Sequence, residues 1–346
     1  MRIIFLCNSF PPNIGGAELV CKEIVDTLSQ EHDVTVITQP ASMSGRSNSK
    51  YKIIELNAVT SYSMMPGLKE KLKSLSPDII VSFGYGKSFS DVSSRFAKRN
   101  KIPFIFMPCG DFHTNKTALS KRTYGLLMGR TCFRNASTII TATEWEKQHW
   151  IKKYNLNESK FKVIPYNLPK GFSNYKYTNL KPKDSKNYYL YIGRAGPNKK
   201  IAELIQGYNA SKSKYPLYIA GLNTDSREFK KLNTGNLCFF GKVTDEYKKH
   251  LIKNARAVIF PSSYESFGLV LLEANAFNTP YFMSDIPPFK ELSPGNKYVF
   301  KNTPLSISQL LKRVENKKLK SQKIKIPDFK KELLSVVNSY ENSNVL

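Results

Sequence analysis

At 346 residues, 41% of them hydrophobic, the chain is too long for one ordinary core and carries enough apolar material to fill two. This excludes a disordered or fibrous protein, and no apolar run is long enough to span a bilayer. The formal charge of +26 is spread along the chain, with 24 basic against 13 acidic residues in 1–170 and 29 against 14 beyond, so a codon bias towards lysine and an anionic partner share the explanation.

The five cysteines, Cys7, Cys21, Cys109, Cys132 and Cys238, are scattered and form no Cys-x-x-Cys pair, which fits a reducing compartment and no structural zinc. The start, Met1-Arg2-Ile3-Ile4-Phe5-Leu6-Cys7, is apolar for five residues and reads as a buried first strand rather than a signal peptide. Strands are expected near Ile3 to Cys7, Val34 to Thr38, Ile79 to Ser82, Phe104 to Met107, Thr138 to Thr141 and Lys162 to Ile164. Helices are expected near Glu18 to Leu28, Gly67 to Ser74, Ser90 to Arg99 and Glu144 to Lys153. From Lys170 to Asn187 the sequence turns polar and loses apolar periodicity, which suggests a linker. A second series of strands begins at Tyr188 to Ile192 and continues through Leu217 to Ala220, Leu237 to Phe240, Ala257 to Phe260 and Tyr281 to Met283. A lysine-rich segment from Lys312 to Lys325 then precedes a one-sided helix near Phe329 to Tyr340. Such alternation predicts two doubly wound α/β domains with parallel sheets.

Three strand-to-helix junctions carry candidate chemistry. After the first strand, Gly15 and Gly16 open a helix and let a ligand approach backbone N–H groups, although a glycine turn there is also a common structural device. After Ile192, Gly193-Arg194 with Lys199 places two cations across a tight loop, where they either converge on a diphosphate or are merely solvated. After Phe260, Glu265 and Glu273 stand eight positions apart around Phe267-Gly268-Leu269, a helix start whose free N–H groups attract phosphate. The two carboxylates suit either acid/base work or the gripping of vicinal hydroxyls; a helix cap plus a paired glutamate would need neither. No Asp-x-Asp occurs, so no divalent metal is suggested, and phosphate charge falls to Arg194, Lys199 and the helix start at Gly268.

Gly15-Gly16, Gly193-Arg194 with Lys199, the stretch Phe239-Phe240-Gly241-Lys242-Val243, and above all Pro261-Ser262 with Glu265-Ser266-Phe267-Gly268 and Glu273, resemble glycosyltransferase family 4 from Ile3 to about Glu291. The resemblance implies a GT-B fold, in which two Rossmann-like domains face across a cleft and a C-terminal helix crosses back to the first. The expected division is an acceptor-binding domain over 1–170, a linker over 171–187, a donor-binding domain over 188–325 and the returning helix over 326–346. It also implies metal-independent transfer, with retention of configuration, from a nucleoside diphosphate sugar to a hydroxyl acceptor; the nucleotide sugar is a substrate, and no cofactor is expected. Carried over by position, Glu273 resembles the ligand of the donor's ribose hydroxyls and Glu265 the residue that meets the donor sugar. Arg194 and Lys199 resemble the diphosphate clamp, Gly16 the glycine near the donor phosphate, and Lys242-Val243 the backbone near the nucleobase.

One position departs from the family. Its members often place a histidine in a Pro-His-Gly context, whereas this chain has Pro108-Cys109-Gly110-Asp111-Phe112-His113, so that Asp111 or His113 takes the role or the role is absent. A milder departure is Asn278, where the family has glycine; asparagine can keep a left-handed turn there. Residues 116–134 carry Lys116, Lys121, Arg122, Arg130 and Arg134 with interleaved apolar residues and no acid. Two readings stand side by side: an interfacial helix on an anionic membrane, or a basic amphipathic helix packed on its own domain. The protein is expected to be cytoplasmic, with a glycan or lipid-linked acceptor, and the first reading would make it peripheral on the inner face of the membrane. Nicotinamide chemistry lacks its Gly-x-Gly-x-x-Gly, and specific nucleic-acid binding lacks any signature. The rival that remains is a non-catalytic subunit that binds a sugar nucleotide.

Overall fold

A computed structural model describes residues 1–13, 15–41, 50–59, 62–110, 128–175 and 187–341. The chain divides into two compact units: Met1–Asn167 with Ile326–Leu346, and Leu168–Lys325.

The first unit is built on strands β1 (Arg2–Cys7), β2 (Asp33–Thr38), β3 (Lys52–Glu55), β4 (Ile79–Phe83), β5 (Phe104–Met107), β6 (Thr138–Thr141) and β7 (Phe161–Val163). They form a parallel sheet in the order β3-β2-β1-β4-β5-β6-β7. In β1, Ile3 to Cys7 are all buried, as expected of a parallel strand covered on both faces. Its register pairs Ile3 with Val34 on one side and with Ile79 on the other. Helices α1 (Gly16–Leu28), α2 (Leu68–Leu75), α3 (Ser88–Arg99), α4 (Thr131–Asn135) and α5 (Glu144–Tyr154) belong to this unit. One core cluster gathers Leu6, Ile37, Phe89, Phe104, Phe106, Phe133 and Trp150.

In the second unit β8 (Tyr189–Ile192), β9 (Leu217–Ala220), β10 (Leu237–Gly241), β11 (Ala257–Phe260), β12 (Tyr281–Ser284) and β13 (Val299–Phe300) form a parallel sheet in the order β10-β9-β8-β11-β12-β13. Its helices are α6 (Ile201–Ser211), α7 (Arg227–Lys231), α8 (Asp245–Asn254), α9 (Leu269–Ala276), α10 (Pro287–Leu292) and α11 (Pro304–Val314). Tyr189, Tyr191, Ile205, Leu217, Ile259 and Phe282 share a core. The last helix, α12 (Phe329–Asn338), returns to the first unit and packs on α1, burying Phe329, Leu333, Leu334 and Val337.

The chain reverses direction across the sheet between β1 and β4 in the first unit and between β8 and β11 in the second. At such switch points the loops leaving the two central strands run apart and open a crevice at the strands' carboxyl ends. Both glutamates and both cations singled out in the sequence follow β8 or β11.

Candidate functional site

The loop after β8 begins at Gly193, with φ 153°, and a Cβ there would lie 3.2 Å from the Tyr191 hydroxyl. Strand β9 ends just beside it. A Cβ on Gly221 would stand 2.0 Å from the Gly193 carbonyl oxygen, so the two strand ends approach as closely as only glycine permits. The Gly221 N–H donates to the Gly241 carbonyl at 2.6 Å, and the Gly193 N–H to the Ala220 carbonyl at 3.0 Å. A glycine at the end of each of these three strands thus draws them into one rim. Arg194 is exposed on that rim, as is Lys242 beyond β10, while Val243 is half-buried.

The loop after β11 is fastened from both sides. Ser262 is buried, and its carbonyl accepts from the Ser284 hydroxyl and from Asn302 Nδ2. The Ser263 N–H donates to the Asn198 carbonyl at 2.8 Å, tying this loop to the one after β8. That tie brings Lys199 and Glu265 into an ion pair, 66 residues apart in sequence. The Tyr191 phenol below is pushed far above its ordinary value by burial, with the Glu265 charge adding to the effect.

Gly268 then caps α9 with φ 111°, and a Cβ there would lie 2.7 Å from Phe289 Cε1. The helix start receives no side-chain cap, unlike α5, α7, α8, α11 and α12, which are capped by Thr143, Ser226, Thr244, Thr303 and Asp328. Without a side chain competing for them, the first N–H groups of α9 can take an anion. Glu273, in the second turn, is buried and ionically paired: Lys248 Nζ lies 2.9 Å from its Oε1 and 3.1 Å from Asp245 Oδ1. Burial works to lower the Lys248 pKa, but the charges and hydrogen bonds of Glu273 and Asp245 outweigh it and hold the ammonium above its ordinary value. At the far end of α9, Asn278 has φ 53°, the left-handed turn anticipated from its sequence position, and the Thr279 N–H closes the helix on the Ala274 carbonyl at 3.0 Å.

In the first unit, Gly15 precedes α1 with φ 173°, extended backbone that any residue adopts, and what a side chain would meet is the Glu18 carboxylate. Gly16 is the first residue of α1, which likewise starts without a side-chain cap. Cys109 and Gly110 follow β5 in consecutive left-handed conformations, φ 54° and 81°. The Gly110 N–H donates to the carboxylate of Glu146, a residue 1% exposed that also accepts from Ala142 N–H at 3.1 Å. Asp111 and His113 lie outside the described residues, as does most of the basic segment 116–134.

The fold therefore brings Arg194, Lys199, Glu265, Gly268 and Glu273 to the carboxyl edge of one sheet. It adds Lys248, Gly221, Ser284 and Asn302 in the second unit, and in the first unit, separately, the buried Glu146, none of which the sequence reading singled out. Gly221 carries a signal in its place after an apolar strand; nothing in the sequence links Lys248 to a glutamate 25 residues on. Among the described residues, no helix is long and apolar enough to cross a membrane.

Two family models match the chain, "Glycosyltransferase Family 4" over residues 14–166 and "Glycosyl transferases group 1" over 177–326. The O-antigen chain mannosyltransferase RfbU of Salmonella typhimurium is 28% identical over 202 residues, 56% of each chain, so this chain spans little more than half of that relative. The GDP-mannose:cellobiosyl-diphosphopolyprenol alpha-mannosyltransferase of Xanthomonas oryzae is 21% identical over 319 residues, 85% of this chain and 81% of that one. Among solved structures, Anabaena Alr3699/HepE in complex with UDP and glucose superposes with a TM-score of 0.70 at 15% identity, over 98% of this chain and 95% of that one. That likeness is one of fold.

Proposed function

The chain belongs to glycosyltransferase family 4, and from that membership and the geometry above we propose that it transfers a hexose, mannose by analogy with its relatives, from a nucleoside diphosphate sugar to a hydroxyl of a glycan or lipid-linked acceptor. The observation that carries this reading is the uncapped helix start at Gly268, flanked in the chain by the paired carboxylates Glu265 and Glu273 at the switch point of the second sheet.

In this reading the diphosphate lies against the first N–H groups of α9, with Arg194 and Lys199 as cations, and Glu273 takes the ribose hydroxyls. Glu265 faces the donor sugar, and its bond to Lys199 sets both side chains before the donor arrives. Lys242 and Val243 flank the base; Gly193, Phe267 and Leu269 frame the phosphates. As the bond from the anomeric carbon to the diphosphate breaks, negative charge grows on the leaving oxygen, and donors already aimed there stabilise the transition state more than the ground state. The acceptor oxygen attacks from the same face, its proton passes to the departing diphosphate, and configuration is retained. This neutralisation uses side chains and helix N–H groups, and we propose a metal-independent reaction.

Purified protein with GDP-mannose, UDP-glucose and a panel of acceptors is expected to release nucleoside diphosphate, with the product anomer read by NMR. Glu265→Gln is expected to lower kcat by about 100-fold or more, a loss typical of removing a transition-state contact. Glu273→Ala is expected to weaken nucleotide binding by about 10- to 100-fold, the worth of hydrogen bonds to a charged group. Unchanged nucleotide affinity in that variant would overturn the site. Cys109, at the family's histidine position, favours a second reading, a non-catalytic sugar-nucleotide-binding subunit; nucleotide binding without any release of product would select it. Peripheral attachment to the inner face of an anionic membrane is a further part of the proposal, tested by salt-sensitive co-sedimentation with anionic vesicles.

A further inference from the structure

We propose that Lys248 is a positioning residue for nucleotide recognition, fixing the direction of the Glu273 carboxylate so that it presents Oε2 to the donor's ribose hydroxyls. The inference rests on the assignment of Glu273 made above and deepens it.

Lys248 lies on α8, outside every stretch that marks the family in this sequence, yet its ammonium contacts Glu273 Oε1 at 2.9 Å. It is itself held from below by Asp245 at 3.1 Å, and Asp245 is shared with Lys249 at 2.8 Å. Two carboxylates and two ammonium groups thus form a balanced cluster. Phe172 covers it: the Lys248 and Lys249 ammonium groups lie 5.5 and 4.8 Å from its ring centroid, and the ring packs on Phe277, at the C-terminal end of α9. The Glu273 side chain is 8% exposed and that of Lys248 22%.

A buried ion pair of this kind adds little stability over apolar residues of the same volume, because desolvation offsets the attraction. What it supplies is an ionised carboxylate held in one direction. With Oε1 engaged by Lys248, the other oxygen has a defined aim. A hydroxyl pair arriving at a carboxylate already ionised and oriented meets no cost of reorganisation, which is how preorganised sites gain affinity. Without Lys248, Glu273 would turn towards Lys249, and the hydroxyls would lose their acceptor.

The test compares GDP and UDP with their 2′,3′-dideoxy counterparts by calorimetric titration of the full chain. For whichever base it takes, the unsubstituted protein is expected to bind the ribose form about 10- to 100-fold more tightly than the dideoxy form. K248M is expected to hold the dideoxy form within about 3-fold of the original affinity while its preference for the ribose form falls below about 3-fold, and K248R to restore most of that preference. Since K248M leaves a buried carboxylate without its cation, the pair E273Q and E273Q/K248M removes that burden. In the E273Q background, loss of Lys248 should change discrimination no further. A K248M protein that keeps full discrimination, or loses both nucleotide forms equally, would overturn the proposal. So would an added effect of K248M in the E273Q background. Failure of the underlying assignment looks different: either no nucleotide binds the unsubstituted protein, or E273Q discriminates as well as it does.

Discussion

Glu146 is the residue whose surroundings pose the sharpest physical question. Its carboxylate is enclosed in the first unit, where it accepts the N–H groups of Gly110 and Ala142 and so fastens the loop after β5 to the start of α5. Burial pushes its pKa up, and the two N–H donors only partly offset this. Folding thus strengthens the hold on the proton. Its contribution to stability is full below the unfolded carboxylate pKa of about 4.3 and is lost as pH rises through the higher folded value. Glu146→Gln keeps one acceptor oxygen and cannot ionise, so urea unfolding from pH 5 to 8 should show the variant gaining on the original protein as pH rises. Glu146→Ala leaves both donors buried and unpaired, and should cost about 2–5 kcal/mol at the acid end of that range and less as pH rises. At this scale the sequence made Glu265, Glu273, Arg194 and Lys199 visible, because they fall in two strand-to-helix junctions that glycines mark. Glu146 and Lys248 stayed hidden, since a glutamate or lysine on a helix is ordinarily solvated and only the folded chain shows what faces it.

Among the elements, the strand ends carry the geometry of the second unit. Gly268→Ala would force a side chain into a left-handed backbone and against Phe289, and should destabilise by about 2–4 kcal/mol from strain and overpacking together. Gly221→Ala meets the backbone of Gly193 instead, which cannot swing aside, so β8 and β9 must separate at their carboxyl ends. That variant should lose nucleotide affinity as well as stability, measured by titration with GDP and UDP beside thermal unfolding. Most strands were legible as short apolar runs, and β5, β6, β9 and β11 fall where they were expected. Strand β3 was not, because Lys52-Ile53-Ile54-Glu55 offers only two apolar residues between charges. It pairs with β2 alone at the sheet edge, where half-burial demands no longer pattern. The two-residue β13 gives even less to read.

Over the whole molecule, the last helix completes the unit that the first strand begins. Asn338 contacts His32 at 2.9 Å and Glu31 at 3.0 Å, and the Tyr166 and Phe329 rings meet edge to face. Both tryptophans, Trp145 and Trp150, lie in α5 of the same unit, so their fluorescence reports on it. Leu333→Ala, which empties a side chain 1% exposed, should lower the unfolding free energy followed by that fluorescence by about 2–5 kcal/mol, although the substitution lies far along the chain from either tryptophan. The sequence by itself determined the α/β class, the GT-B resemblance and the order of the glycine and carboxylate motifs, because strand hydrophobicity and turn chemistry are local properties that survive in a string of letters. Only the tertiary structure decided which lysine meets which glutamate, which carboxylate is buried and which helix starts lack a cap. Those follow from parallel strands that place the ends of distant segments side by side, and no local pattern records the pairing.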